Sequence, residues 1–120
     1  MTDEEAGYLA ENLWLYRVRR RMSRDALAAK IVRPQTYRDY EYGTDIPSDD
    51  DVKKFAERLQ TTTEALTKPP DYKWLLKNYR VRKVLELFCL LKHKKQRHAV
   101  LELLRGLQAR PKKTAPPLDR

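Results

Sequence analysis

The chain has 120 residues, enough for one compact domain or a small domain with an appendage and too few for a Rossmann or barrel enzyme. Its 26 Lys+Arg against 17 Asp+Glu give a formal net charge of +9, which points to a polyanionic partner, nucleic acid first. Three glycines cannot build a phosphate-cradling loop, one cysteine excludes an internal disulfide framework, and the longest apolar run, Leu87 to Leu91, falls far short of the roughly 18 residues of a membrane span.

The opening Met-Thr-Asp-Glu-Glu is acidic, so an acidic tail over residues 1–7 is expected rather than a signal or transit peptide, and a reducing cytosol is the expected setting. From residue 8 to 21 the apolar positions Leu9, Leu13 and Tyr16, widened by Trp14, Leu15 and Val18, recur at helical spacing. Ser23 has the character of an N-cap, with Asp25 in the first turn and Leu27, Ala28 and Ile31 on one face. Val32-Arg33-Pro34 breaks that helix, because proline disfavours the α conformation in the residue before it, and Pro34 suits the opening of the next. Gln35 to Tyr42 reads as a short helix with Tyr37, Tyr40 and Glu41 facing inward, closed by Gly43; Tyr42 is expected to cover the core, the alternative being a stacking contact with a partner's backbone.

Ile46-Pro47-Ser48 is a turn and cap, after which Val52, Phe55, Ala56 and Leu59 mark a fourth amphipathic helix. Thr61 with Glu64 has capping-box spacing and predicts a brief fifth helix ending near Leu66, before the boundary at Pro69-Pro70. Asp71 is expected to cap a longer segment whose two apolar stripes fall out of phase around Asn78–Arg82, which predicts a kink or break there. Lys92 to Arg97 reads as a polar hinge, and Val100, Leu103, Leu104 and Leu107 as a last amphipathic helix ended by Pro111, with a basic, proline-rich disordered tail over 110–120. No segment has strand periodicity. The expected fold is all-α: a five-helix domain over 8–68, then a helical extension over 71–109.

The charge is blocked along this plan. Residues 1–11 carry −4, residues 12–43 carry +5, residues 44–67 carry −3, and residues 68–120 carry +11. Two short helices joined by a tight turn, the second polar and partly basic, form a helix-turn-helix, whose second helix fits the DNA major groove.

Leu13 and Arg17, then Met22-Ser23-Arg24-Asp25-Ala26-Leu27-Ala28, then Tyr40-Glu41-Tyr42-Gly43, then Pro47, Val52, Phe55, Ala56, Leu59 and Leu66, stand in a specific order. In that order they resemble the helix-turn-helix domain of the XRE, or lambdoid-repressor-like, family. Its pattern runs Leu-x-x-x-Arg, Leu-Thr-Gln-x-x-Leu-Ala, Trp-Glu-x-Gly and Pro-x-x-x-x-Leu-x-x-Leu-Ala-x-x-Leu. The chain departs from it in several places. Arg24 replaces the glutamine, Tyr37 and Tyr40 replace an aliphatic residue and the tryptophan, the glycine after helix 2 is missing, and the interval from Ile31 to Glu41 is one residue short. That shortening leaves the first residue of helix 3 open by one position.

The resemblance implies specific roles. Arg17 and Glu41 match a charged pair that ties helix 1 to the end of helix 3. Gln35, Thr36, Arg38 and Asp39 fall at the base-reading positions, where glutamine pairs with adenine, arginine with guanine, and a threonine methyl meets the thymine methyl. Ser23 and Arg24, with Arg33 at the turn and Arg19, Arg20 and Arg21 at the end of helix 1, are the expected DNA backbone contacts.

Beyond Pro70 no family pattern is visible, yet Leu85, Phe88, Leu101, Leu104 and Leu107 require burial, either by folding back on the domain or, the reading favoured here, as a dimerisation surface. The basic charge of this half suits flanking DNA or an acidic partner. Cys89 and His93 stand four apart, too few ligands for a closed zinc site, and Cys89 is expected to pack as a small hydrophobe. No catalytic constellation, metal site or cofactor is expected. The reading is a sequence-specific, DNA-binding transcriptional regulator of bacterial or phage type. It would be a cytoplasmic, nucleoid-associated homodimer that occupies a promoter or operator and blocks or recruits RNA polymerase. The alternative is a protein-interaction module, such as an antitoxin-like partner or a polymerase-binding coactivator.

Overall fold

The computed structural model describes residues 1–108. They form eight helices: α1 (Asp3–Arg19), α2 (Arg24–Ala28), α3 (Pro34–Tyr42), α4 (Asp49–Arg58), α5 (Thr63–Leu66), α6 (Lys73–Leu76), α7 (Tyr79–Leu90) and α8 (Lys94–Gln108). No strand occurs among the described residues. The chain divides between Tyr72 and Lys73, so α1–α5 belong to one compact unit and α6–α8 to a second.

The residues expected as an acidic tail are instead the first turns of α1. Thr2 Oγ1 accepts the Glu5 amide at 3.1 Å, and the Glu5 carboxylate accepts the Thr2 amide at 3.0 Å. This capping box satisfies orphan donors, and Asp3, Glu4 and Glu5 stand where the helix dipole favours negative charge. On the inner face of α1, Leu9 and Leu13 join the core, and between them Asn12 is buried. Its Nδ2 donates to the Leu66 carbonyl at 2.9 Å and the Lys68 carbonyl at 2.7 Å, so one α1 side chain closes the end of α5.

The missing glycine after helix 2 has a structural consequence. Capped by Ser23, whose Oγ accepts the Ala26 amide at 3.0 Å, α2 stops after five residues. Ala29 (φ −52°, ψ 127°) and Lys30 (φ 65°) then make a turn of type II form, closed by the Ile31 amide on the Ala28 carbonyl at 2.9 Å. Lysine thus occupies a left-handed position that normally takes glycine. Ile31, expected on the helix, leaves it but still packs against the core. Pro34 is the first residue of α3, as its fixed φ and lack of a donor favour.

Three helices of this unit end in the same way. At Arg21 (φ 58°), Gly43 (φ 79°) and Gln60 (φ 57°) the backbone turns left-handed. The following amides then return to the carbonyls five residues back: Met22 to Arg17, Thr44 to Asp39 and Thr61 to Ala56. The last of these moves the α5 cap. Thr61 is used to finish α4, so Thr62, not Thr61, accepts the Ala65 amide at 3.0 Å. Arg58 near the end of α4 donates to the Leu27 carbonyl at 2.9 Å and so covers the exposed end of α2.

The core between these helices is built from Leu13, Leu27, Tyr37, Phe55, Leu59 and Leu66, all fully enclosed. Phe55 is its centre, with Tyr37 and Tyr40 set edge-on at 5.4 and 6.1 Å between ring centroids. Each such aromatic pair adds about 0.5–1.5 kcal/mol beyond its burial.

In the second unit, α6 and α7 are separated at Lys77–Asn78, where the phase shift predicts a break. The Asn78 side chain accepts the Arg80 amide at 2.8 Å and restarts the helix. The expected hinge at Lys92–Arg97 is shorter than its charge run: the turn covers Leu91 to His93, and Lys94–Arg97 form the first turn of α8. No residue of α6, α7 or α8 is buried. Cys89 is accordingly exposed rather than packed, because these helices enclose no core of their own. The expected end of the last helix at Pro111 and the disordered tail over 110–120 lie outside the described residues.

Holding a lysine in the left-handed region costs about 1–2 kcal/mol. The Lys30→Gly variant should therefore be more stable than the parent by about 1 kcal/mol, and Lys30→Ala should show no gain. Thermal denaturation of the three proteins checks this.

Candidate nucleic-acid interface

The site is organised around one buried carboxylate. The Glu41 side chain is 1% exposed and the Arg17 side chain 12%. Arg17 grips Glu41 with two parallel bonds, Nε to Oε2 at 2.6 Å and Nη2 to Oε1 at 3.1 Å, and its Nη1 donates to the Met22 carbonyl at 2.9 Å. The Tyr37 hydroxyl, one helical turn before Glu41, donates to Oε2 at 2.5 Å. Arg24, at the start of α2, reaches Oε1 through its Nε at 3.4 Å. Glu41 therefore joins the end of α1, the start of α2 and the body of α3, and Arg17 extends the link to the α1–α2 turn.

Burial, and then the hydrogen bond to Glu41 and its negative charge, push the Tyr37 hydroxyl well above its ordinary value near 10. Burial alone would make Arg17 a weaker base, but the hydrogen bonds and charge of Glu41 outweigh it and hold the guanidinium charged. The charge balance leaves a remainder. Arg17 meets Glu41 bidentately, while Arg24 makes one longer contact and its side chain stays 38% exposed. The Arg24 guanidinium also lies over the Tyr42 ring, 5.5 Å from its centroid. Tyr42 does not cover the core as expected but is 63% exposed, because it follows Glu41 around the helix onto the outer face.

That outer face is where the sequence places the base-reading residues. Arg24, Asp25, Pro34, Gln35 and Arg38 line one shallow depression between α2 and α3. Gln35 and Arg38 are exposed, and Thr36 and Asp39 are half-buried. The Asp39 carboxylate stands 4.0 Å from Arg38 Nε, and its backbone carbonyl accepts the amides that close α3. Arg33 is exposed at the N-cap position of α3 without a capping side-chain bond. Ser23 is engaged as the α2 cap.

Not all expected backbone contacts gather here. Arg19 and Arg20 line a separate depression with Tyr16, Leu59 and Gln60, toward the end of α4. Arg21 serves as the left-handed residue that ends α1. Three members of the polar scaffold escape the sequence reading: Asn12, the Tyr37 hydroxyl and the attachment of Arg24 to Glu41. Asn12 carried a signal, being a polar residue on the apolar stripe of Leu9, Leu13 and Tyr16. The other two depend on which side chains meet across three helices and have no local signature.

The family model described as Helix-turn-helix matches residues 15–66, which span the end of α1 through α5. Over these residues the chain is similar to that helix-turn-helix family. No curated protein and no solved structure matches the chain. No helix among the described residues is long and apolar enough to cross a membrane.

Removing one partner of a buried, hydrogen-bonded ion pair strands the other. Arg17→Ala should cost about 3–5 kcal/mol, read by urea denaturation. The raised Tyr37 value gives a second expectation. The folded state keeps the Tyr37 proton while the unfolded chain loses it above pH 10, so this stability is complete below pH 10 and falls as pH rises beyond it. The slope is at most about 1.4 kcal/mol per pH unit. A Tyr37→Phe protein should lose less stability between pH 9 and 11 than the parent in matched denaturation curves.

Proposed function

We propose that the protein is a sequence-specific transcriptional regulator of bacterial or phage type that reads the DNA major groove with α3 and acts as a homodimer. The observation that carries the base-reading assignment is the shared depression of Arg24, Gln35 and Arg38, on the exposed face of a helix whose opposite face is locked into the core. Gln35 and Arg38 supply bidentate geometry for adenine and guanine, Thr36 a methyl for thymine, and Asp39 an acceptor for cytosine. Arg24 and Arg33 supply cations, and Ser23 a hydroxyl, at the edge of the same face for phosphates.

The dimer reading rests on the second unit. Leu85, Leu101, Leu104 and Leu107 are exposed and Phe88 is only half-buried. Burying such a side chain fully is worth about 1.5–3 kcal/mol, so an apolar surface of this kind favours association. A two-fold pair would present two α3 helices to half-sites about 34 Å apart, and occupancy of a promoter would exclude or recruit RNA polymerase at the nucleoid.

Selection of bound sites from a random DNA library tests the reading. The parent should enrich one site, and Gln35→Ala and Arg38→Ala should each relax one position of it at a cost of about 1–3 kcal/mol. A Gln35/Arg38 double alanine variant with unchanged preference overturns the base-reading assignment. In sedimentation, Leu101→Asp with Leu104→Asp should convert a dimer into a monomer; a parent already monomeric at tens of micromolar overturns the dimer.

A further inference from the structure

The two units differ in how they place charge on their helices. In the first unit the helix dipole is respected: α1 opens on Asp3, Glu4 and Glu5 and closes on Arg17 and Arg19, and α4 opens on Asp49, Asp50 and Asp51 and closes on Arg58. In the second unit the helix starts depart from this order. Neither α7 nor α8 has an acid in its first turn. Instead Arg80, Arg82 and Lys83 crowd the start of α7, and Lys92 and His93 lead into Lys94, Lys95 and Arg97 at the start of α8. Cations at a helix N-terminus oppose the dipole, so these charges work against the helices that carry them. A solvated polar face that merely supported the helix would have the opposite arrangement.

The cluster before and within the first turn of α8 is also accessible. Lys92, His93, Lys94 and Lys95 are exposed. Arg97 alone is turned inward, donating to the Leu91 carbonyl at 2.6 Å, and this bond holds the turn. The charge is separated along the helix from the apolar surface: beyond His98, α8 carries only Glu102 and Arg105, which pair with each other, among Val100, Leu101, Leu103, Leu104 and Leu107. A helix lying on a membrane would spread its basic residues along the full length of the apolar stripe. Here a cationic end projects from an apolar body.

The balance between the units points to the ligand. Residues 1–72 hold twelve bases and fourteen acids, a net charge of −2, whereas residues 73–108 hold ten bases and two acids, a net charge of +8. Sequence-independent attraction to DNA comes almost entirely from cations that displace counterions from phosphates. The unit that carries α3 is thus acidic overall, and the excess cations stand in the other.

We propose that the α7–α8 turn, through Lys92, Lys94 and Lys95, is a second DNA-binding site that contacts the phosphate backbone of double-stranded DNA without reading its sequence. This rests on the DNA-binding reading of α3 and adds a separate contact to it. The turn supplies affinity and the outer face of α3 supplies preference.

The test is a salt titration of duplex binding by the full-length parent and by a variant carrying Lys92→Gln, Lys94→Gln and Lys95→Gln, each with a selected site and with an unrelated duplex. Each phosphate contact contributes about 0.9 to the slope of log affinity against log salt, so the variant's slope should be shallower by about 2–3 on both duplexes. Between 50 and 200 mM salt the parent should lose about 40-fold more affinity than the variant. The ratio between the two duplexes should stay as in the parent, and the variant should melt no lower than the parent, because the substitutions remove cations from a helix start. A slope unchanged on both duplexes overturns the proposal while leaving the α3 reading intact, and so does a loss confined to binding of phosphatidylserine vesicles. A parent that binds neither duplex overturns both.

Discussion

The Glu41 carboxylate is the point on which the arrangement of α1, α2 and α3 depends. A buried anion is costly unless it is paired and its lone pairs are filled. Here Arg17, Arg24 and Tyr37 fill them, and each comes from a different part of the chain. The arrangement fixes the rotation of α3 about its own axis. With Glu41, Tyr37 and Tyr40 turned inward, residues one to three positions away, Gln35, Arg38 and Tyr42, must turn outward. The same carboxylate that holds the fold thus decides which side chains are available to a partner.

Arg24 belongs to both sides of that division. Its Nε is bound to the buried carboxylate and its guanidinium rests on the exposed Tyr42 ring, so an arginine at the rim of the depression is held in place before any ligand arrives. Preorganising a rotamer-rich side chain lowers the entropy lost on binding. The price for a compact helix-turn-helix is paid nearby in backbone strain. Arg21, Lys30 and Gln60 adopt left-handed conformations without being glycine, and these end α1, shape the α2–α3 turn and end α4.

The two units are opposed in charge and in packing. The first encloses a complete apolar core and follows the helix-dipole rule in α1 and α4; the second encloses none and places cations at the starts of α7 and α8. The formal net charge of +9 is therefore not a property of the fold as a whole. The exposed face of α3 sits on a unit that is slightly acidic, and the cations that carry the total are concentrated on helices without a family pattern.

Much of the first unit was legible in the sequence because its determinants are local. The apolar spacing of Leu9 and Leu13 or of Val52, Phe55 and Leu59, the caps at Ser23 and Ser48, Pro34 at a helix start and Gly43 at a helix end each act within a turn or two of chain. The Arg17–Glu41 pair was legible for a different reason, since its spacing recurs in the family pattern. What only the tertiary structure decided is where side chains from separate helices meet. It turned the acidic opening into helix, moved the α5 cap from Thr61 to Thr62 because α4 needed Thr61 for its own end, and put Lys30 where a glycine was missing. It also tied Asn12 to the end of α5, Tyr37 and Arg24 to Glu41, and left Tyr42 and Cys89 exposed. Periodicity along one helix determines which face is apolar, but the partners of a polar side chain, and whether an apolar face is covered at all, depend on distances across the fold.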